Sequence, residues 1–373
     1  MSRKKAIFVV GTRPEAIKLA PLILKFRSSN RIDSIVCSTG QHRAMLDQVM
    51  NFFSIRADYD LDIMRPNQTL ASLTAAILTS LDPVIEKEKP DYLIVQGDTT
   101  TAFAGALTAY YRQIQVVHIE AGLRSGNKYS PFPEEANRMM VSKITDYHFA
   151  PTERAKQMLA QEGIIENVWM VGNSVIDALL IATKLLSGAS EKYAIPELNR
   201  MTGKRMILVT GHRRESFGDT FREICQALRE IAESHSNDVE IIYPVHLNPN
   251  VQVPVKEILS GVPNIHLIAP VDYPQMVLLM QQSYLVLTDS GGVQEEAPTL
   301  GKPVLVMRDV TERTEGIEAG TALKVGTQRS VIVRETQRLL GDKAAYNLMA
   351  QAVNPYGDGN TSAKILEILE AHA

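Results

Sequence analysis

Apolar and polar positions along the chain repeat one rhythm: a short apolar run, a turn, then a longer stretch with helical spacing. In the first half AIFVV (6–10), SIVCS (34–38), YLIVQ (92–96), QVVHI (115–119), YHFAP (147–151) and NVWMV (167–171) read as strands. Helical patterns fall between them, at 14–28, 99–112, 134–145 and 152–161. The second half repeats the scheme with RMILVT (205–210), VEIIYP (239–244), IHLIA (265–269), YLVLT (284–288) and PVLVM (303–307). Continuous apolar strands alternating with helices predict parallel sheets covered on both faces. Two such series predict an α/β protein of two doubly wound, Rossmann-like domains.

Gly172 and Asn173, after the last strand of the first series, mark the expected boundary. That gives domains at 1–172 and 173–355; the segment 187–204, with Gly188, Pro196 and Gly203, is an alternative linker. The turn-forming NPYGDGN (354–360) precedes a final amphipathic helix over 361–371.

A length of 373 residues suits about two domains. Lys and Arg number 39 against 42 Asp and Glu, a net charge of −3 that argues against a nucleic-acid partner. Two cysteines, Cys37 and Cys225, exclude a disulfide scaffold and point to a reducing compartment. Both fall in apolar patterns and read as core thiols, and Met139, Met140 and the methionines of 276–280 also read as core. The apolar run behind the basic start spans only Ala6 to Val10, too short for a secretory signal, and no run of 18 apolar residues occurs. A cytoplasmic protein without a membrane partner is the expectation.

Ligands of open parallel sheets bind beyond the carboxyl ends of the strands, so the residues there are the candidates. After the first strand comes GTRPEAIK (11–18), with Thr12 and Glu15 at capping-box spacing. Arg13 and Lys18 lie beside that turn, which reads either as an anion site or as a capped helix with solvated charges. YLVLTDSGGVQEEAP (284–298) is strand, glycine turn and helix. Ser290, Gly291 and Gly292 would offer bare N–H groups to a phosphate, and Glu295 or Glu296 could bond a ribose. Neither the dinucleotide fingerprint nor the P-loop is present, which favours a single nucleotide diphosphate over NAD or ATP.

Asp98, Glu120, Glu134 and Glu135 follow strands of the first series. They suit acid–base work, but Asp98 also suits an N-cap, and Glu134 suits a helix start paired with Arg138 at i, i+4. His212, Arg213 and Arg214 follow a strand of the second series and suit diphosphate recognition. The eight histidines are scattered, and H-x-E at 118–120 and H-x-x-E at 212–215 lack a matching ligand set, so no metal is expected.

The segments GTRPEAIKLAP, TGQHRAMLDQV, QGDTTT, HIEAGLRS, YSPFPEEANR, GNSVIDAL, TGHRRESFG, YPVHLNPNV, LTDSGGVQEEAP, GKPVLVMRD and NPYGDGN resemble, in this order, the non-hydrolysing UDP-N-acetylglucosamine 2-epimerases. The resemblance spans about residues 6 to 368. It implies two Rossmann-like domains around a central cleft, as in the glycosyltransferase-B architecture, with the last helix (about 356–373) returning to the first domain. It implies reversible epimerisation at sugar carbon 2, by elimination of UDP to 2-acetamidoglucal and re-addition, without a cofactor. It places Asp98, Glu120, Glu134 and His212 in catalysis. Arg13, Lys18, Ser290, Gly291, Gly292, Glu296 and Arg313 fall on the ligand contacts. A second UDP-N-acetylglucosamine acting as activator would meet Gln41, Gln68, Arg213 and His246. A homodimer supplying surface-polysaccharide precursors is also implied. The chain departs from the family at PVDYPQM (270–276) and TERTEGI (311–317), beside the expected uracil slot.

Overall fold

Strand-forming runs and helical stretches alternate along the computed structural model, which describes residues 3–40, 43–65, 67–188, 190–200 and 203–372. The first series runs β1 (Lys4–Val10), α1 (Arg13–Arg27), β2 (Ile32–Ser38), α2 (Arg43–Phe52), β3 (Tyr59–Asp60), α3 (Leu70–Glu88) and β4 (Tyr92–Gln96). It continues with α4 (Thr100–Tyr111), β5 (Gln115–Ile119), α5 (Glu134–Ile144), β6 (Tyr147–Ala150), α6 (Glu153–Gln161), β7 (Val168–Met170) and α7 (Ser174–Ser187). The second series runs β8 (Arg205–Thr210), α8 (Asp219–Ser234), β9 (Val239–Pro244), α9 (Pro249–Leu259), β10 (Ile265–Ile268), α10 (Tyr273–Gln282) and β11 (Leu285–Thr288). After it come α11 (Gly291–Glu296), β12 (Val304–Val306), α12 (Thr314–Glu318), β13 (Ala322–Lys324), α13 (Arg329–Gly341), α14 (Lys343–Ala350) and α15 (Thr361–Ala371).

Each series builds one all-parallel sheet. The orders are β3-β2-β1-β4-β5-β6-β7 and β10-β9-β8-β11-β12-β13. Both are Rossmann orders, which reverse direction between two central strands and open a ligand crevice there. The crevices lie beyond β1 and β4 in one sheet and beyond β8 and β11 in the other. The two-residue β3 and three-residue β13 were not expected, because such short strands carry no readable period.

The chain divides into two units, residues 1–181 with 356–373, and residues 182–355. The division falls at Ile181–Ala182, inside α7, rather than at Gly172–Asn173. Hydrogen bonds explain why the start of α7 stays with the first unit. The Asp177 carboxylate accepts the Thr361 and Ser362 N–H groups at 3.3 and 2.8 Å, capping α15 from outside. Asn173 N–H donates to Tyr356 O at 2.6 Å, and Ser29 Oγ donates to Glu370 at 2.6 Å. No described helix is long and apolar enough to cross a membrane.

Cys37 and Cys225 are buried, and desolvation pushes each thiol up to about 12. Met139 and Met140 lie on the exposed face of α5, against expectation. The inward face of α5 is instead partly polar, carrying Glu135 and Asn137 with Val141 and Ser142.

Candidate active site

The first unit gathers carboxylates beyond β1, β4 and β5. Gly11 ends β1 where nothing larger fits: a Cβ there would lie 2.2 Å from Thr101 Oγ1 and 2.7 Å from Thr39 Oγ1. The capping box is present, with Thr12 as N-cap and Glu15 as its partner. Glu15 Oε2 accepts the N–H groups of Gly11 and Thr12 at 3.0 and 2.6 Å. Its Oε1 accepts Thr99 Oγ1–H at 2.6 Å. Burial pushes the Glu15 carboxyl up, and these hydrogen bonds oppose the shift. The N–H groups that suggested an anion site beside Arg13 and Lys18 therefore already hold an anion of the chain itself.

Lys18 reaches away from that turn. Its Nζ donates to both Glu120 oxygens, at 2.7 and 2.6 Å, in an ion pair whose side chains are 15% and 6% exposed. Gln96 Nε2 also donates to Glu120, and Asn173 Nδ2 donates to it at 3.4 Å. Glu120 follows β5 with φ of +64°, the left-handed region that costs a non-glycine residue about 1–3 kcal/mol. Such a conformation persists only where the surroundings impose it, and here Lys18, Gln96 and Asn173 hold one carboxylate through four hydrogen bonds.

Asp98 lies beside it in the fold. Register pairs Gln96 of β4 with Ile119 of β5, so Gly97–Asp98 and Glu120 leave adjacent strands together. A Cβ on Gly97 would stand 3.8 Å from Glu120 Oε2. Thr99 caps α4, its Oγ1 accepting the Ala102 N–H at 3.0 Å, so Asp98 is not the cap. The Asp98 carboxylate pairs with Arg138 instead, and Asn137 Nδ2 donates to Asp98 O at 2.9 Å.

Arg138 thus pairs with Asp98 and, at 3.2 Å, with Glu135, not with Glu134. Glu135 Oε1 accepts the Ser125 and Gly126 N–H groups at 3.0 and 3.1 Å, tying the preceding loop to α5. Glu134 opens α5 and is partly buried, and its side chain makes no hydrogen bond or ion pair among the described residues. Asp98 and Glu120 leave neighbouring strand ends; no hydrogen bond or ion pair among the described residues joins Glu134 to them. Behind the set, His118 Nε2 bonds Gly97 O at 2.7 Å, and burial lowers His118 to about 4 and neighbouring His148 to about 3.

The second unit presents different chemistry beyond β8 and β11. Ser290 stands at the N-cap of α11 without a side-chain cap bond, so the first N–H groups of the turn have no cap from it. A Cβ on Gly291 would lie 3.2 Å from Arg313 Cζ, which places that guanidinium directly over the glycine turn. Arg313 Nε donates to Glu295 at 2.9 Å, so Glu295 steadies the arginine. Glu296 Oε2 stands 3.7 Å from a Cβ on Gly292, beside the same turn.

His212 follows β8. Its N–H and that of Arg213 donate to Asp289 Oδ2 at 2.6 and 2.8 Å, while Tyr243 Oη–H donates to Gly211 O at 2.6 Å. The imidazole stacks on His246, centroids 5.2 Å apart and planes at 12°. Its Nδ1 lies 3.6 Å from Asp289 Oδ1. Burial lowers the His212 pKa, Asp289 opposes this, and His246 and Arg213 add to the lowering.

Of the expected activator contacts, His246 is this stacking partner and Arg213 shares the Asp289 clamp. Gln68 is engaged with its own loop, accepting Arg65 N–H and donating to Ile63 O at 3.3 Å each. Gln41 lies outside the described residues. Sequence reasoning missed Asp289, Arg138 as partner of Asp98, and Gln96 and Asn173 around Glu120. The one available signal was position, since Asp289 stands between a strand and a glycine turn.

Two Rossmann-like domains, one carrying a lysine-bound carboxylate cluster and the other a glycine turn under an arginine, define an enzyme of the nucleotide-sugar class. Residues 24–370 match the family described as UDP-N-acetylglucosamine 2-epimerase. The chain belongs to that family, whose activity is an isomerisation. A Yersinia pestis protein named UDP-N-acetylglucosamine 2-epimerase is 53% identical over 376 residues, covering 99% of each chain. The crystal structure of the Neisseria meningitidis UDP-GlcNAc 2-epimerase bound to UDP-GlcNAc matches with a TM-score of 0.90 at 48% identity, over 98% of this chain and 99% of that one. The Methanocaldococcus jannaschii enzyme in complex with UDP-GlcNAc and UDP matches at 0.81 and 35% identity, over 98% and 99%.

Proposed function

We propose that the protein interconverts UDP-N-acetylglucosamine and UDP-N-acetylmannosamine by elimination and re-addition, with no cofactor. The proton on sugar carbon 2 is not beside a carbonyl, so direct abstraction is hard. Elimination avoids this: a base takes the carbon-2 proton, the C1–O bond breaks with its electrons going to UDP, and 2-acetamidoglucal forms. UDP re-adds as a proton arrives on the other face. The reaction needs carboxylates near carbon 2 and a cationic grip on the leaving diphosphate.

One observation supports the reading most: Asp98 and Glu120 leave paired ends of neighbouring strands, each carboxylate fixed by a cation. In this reading Asp98, Glu120 and Glu134 supply acid–base catalysis and His212 serves the leaving phosphate. Lys18 and Arg13 contact the ligand from the first unit. Ser290, Gly291, Gly292 and Arg313 hold the diphosphate, and Glu296 takes the ribose. A second UDP-sugar would act as activator through Arg213 and His246, in a cytoplasmic homodimer that supplies precursors for surface polysaccharide.

Incubation with UDP-N-acetylglucosamine in deuterated water tests the reading. NMR should show UDP-N-acetylmannosamine appearing and deuterium at carbon 2 of both UDP-sugars. Release of free N-acetylmannosamine would mean a hydrolysing enzyme, and unexchanged substrate would end the proposal.

A further inference from the structure

One carboxylate oxygen of Asp289 lies buried beside the His212 imidazole. Asp289 is 2% exposed. Its Oδ2 is saturated by two backbone N–H groups, while its Oδ1 is buried and has no hydrogen-bond partner among the described residues. A buried carboxylate oxygen without a donor is costly, so the group that faces Asp289 Oδ1 matters. The group facing it is the His212 Nδ1, 3.6 Å away, beyond a hydrogen bond but within reach of a small ring rotation.

We infer that Asp289 is a positioning residue for His212, holding the imidazole through Nδ1–H so that Nε2 faces the departing phosphate. The inference rests on the proposed function of the site. The surroundings leave Asp289 alone in this role. His246 offers its ring face, and its Nδ1 is already accepting the Asn248 N–H at 3.1 Å. Arg213 carries the wrong charge, so the charged and titratable groups acting on His212 contain one anion, Asp289. Backbone bonds fix where the imidazole starts: Asp289 grips the His212 and Arg213 N–H groups, and Tyr243 grips the Gly211 carbonyl.

The chemistry follows from the tautomer. With Nδ1–H committed to a carboxylate, protonation adds the second proton at Nε2. As the C1–O bond breaks, its electron pair passes to the β-phosphate oxygen, and the Nε2–H bonds that oxygen. Asp289 balances the imidazolium charge throughout. On re-addition the oxygen attacks carbon 1 and the proton remains with Nε2. Asp289 also adjoins Ser290 in sequence, so a single side chain fixes the histidine relative to the glycine turn.

Two measurements on the full-length protein test this. Long-range 15N–1H spectra of histidine-labelled protein, with His212 assigned through His212→Asn, should show the neutral ring as Nδ1–H. In Asp289→Asn the amide can still accept backbone N–H groups through its oxygen but turns an NH2 toward the ring, which should switch His212 to Nε2–H. Turnover should then fall by about 10²-fold, with KM within about threefold because ground-state binding is retained. The alkaline limb of kcat should move to lower pH, since loss of the anion makes protonation harder. A wild-type ring in the Nε2–H form overturns the inference whether or not the variant folds. So does an Asp289→Asn enzyme with wild-type kcat and pH profile. Failure of the underlying function looks different: wild-type protein that gives no carbon-2 deuterium exchange, whatever the tautomer.

Discussion

In both sheets the turn after the first central strand is held by a carboxylate accepting two successive backbone N–H groups. Beyond β1, Glu15 takes Gly11 and Thr12; beyond β8, Asp289 takes His212 and Arg213. The two clamps come from different places. Glu15 belongs to the helix that follows its own turn, whereas Asp289 comes from the end of the neighbouring strand. The residue matching Asp289 in the first unit is Asp98, since each stands just before the N-cap of the next helix, Thr99 or Ser290. Because Glu15 does the clamping there, Asp98 is released to pair with Arg138 beside Glu120. One topological position thus supports the turn in one domain and pairs with Arg138 in the other. The second oxygens complete the contrast: Glu15 Oε1 is satisfied by Thr99, and Asp289 Oδ1 faces an imidazole.

The largest effect should come from Asp98→Asn. Thr99 supplies the cap, so the fold and UDP binding should persist while turnover drops by about 10²–10⁴-fold. Near-normal deuterium exchange at carbon 2 in this variant would return Asp98 to a structural role.

Acid should separate the units next. His118 and His148 both lie in the first sheet, with native pKa values lowered by burial to about 4 and about 3 from an ordinary 6.5. The unfolded chain therefore binds protons that the native protein refuses. Stability from these groups is complete above about pH 6.5 and drains as pH falls toward 4, by up to about 1.4 kcal/mol per pH unit for each histidine. Urea midpoints should be level from pH 8 to 7 and fall below 6.5, less steeply in His148→Gln. A level midpoint down to pH 5 would contradict the neutral burial of these rings.

Glu15→Gln probes the clamp whose second oxygen is already satisfied by Thr99. It exchanges a satisfied acceptor for a group with a misdirected donor, costing about 1–3 kcal/mol of stability. Turnover per folded molecule should stay within a few-fold of wild type, unlike Asp289→Asn. Equal turnover losses in the two variants would erase the distinction drawn between the clamps.

The smallest effects concern the caps. Thr99→Ala should cost about 1 kcal/mol in urea unfolding. Ser290 makes no cap bond, so Ser290→Ala should change stability by less than about 0.5 kcal/mol and weaken UDP binding measured by calorimetry. A larger stability loss at Ser290 than at Thr99 would reverse the assignment.

What the sequence discloses follows the range of each interaction. Alternating apolar runs revealed both sheets, because buried parallel strands leave a continuous apolar signature. The Thr12–Glu15 box was readable because its partners are three residues apart. The Asp289 clamp spans 77 and 76 residues, and no local pattern reports it. Helical spacing offered Glu134 as partner for Arg138, but the turn after β4 brings Asp98 closer and wins. Met139 and Met140 were misplaced for a related reason: α5 turns polar Glu135 and Asn137 inward to hold Gly126 and Asp98, leaving its methionines outside.

The return of α15 to the first unit sets an order of assembly. Residues 182–355 are contiguous, so the second unit is complete while the chain is still being made. The first unit is not: α15, bound to Asp177 and to Ser29, is made after the whole of the second unit. Domains generally fold as units and in the order of synthesis. Here the half that carries Glu120 and Asp98 begins before the second unit and closes after it, and until α15 arrives the nascent enzyme holds a finished second domain and an unsealed first.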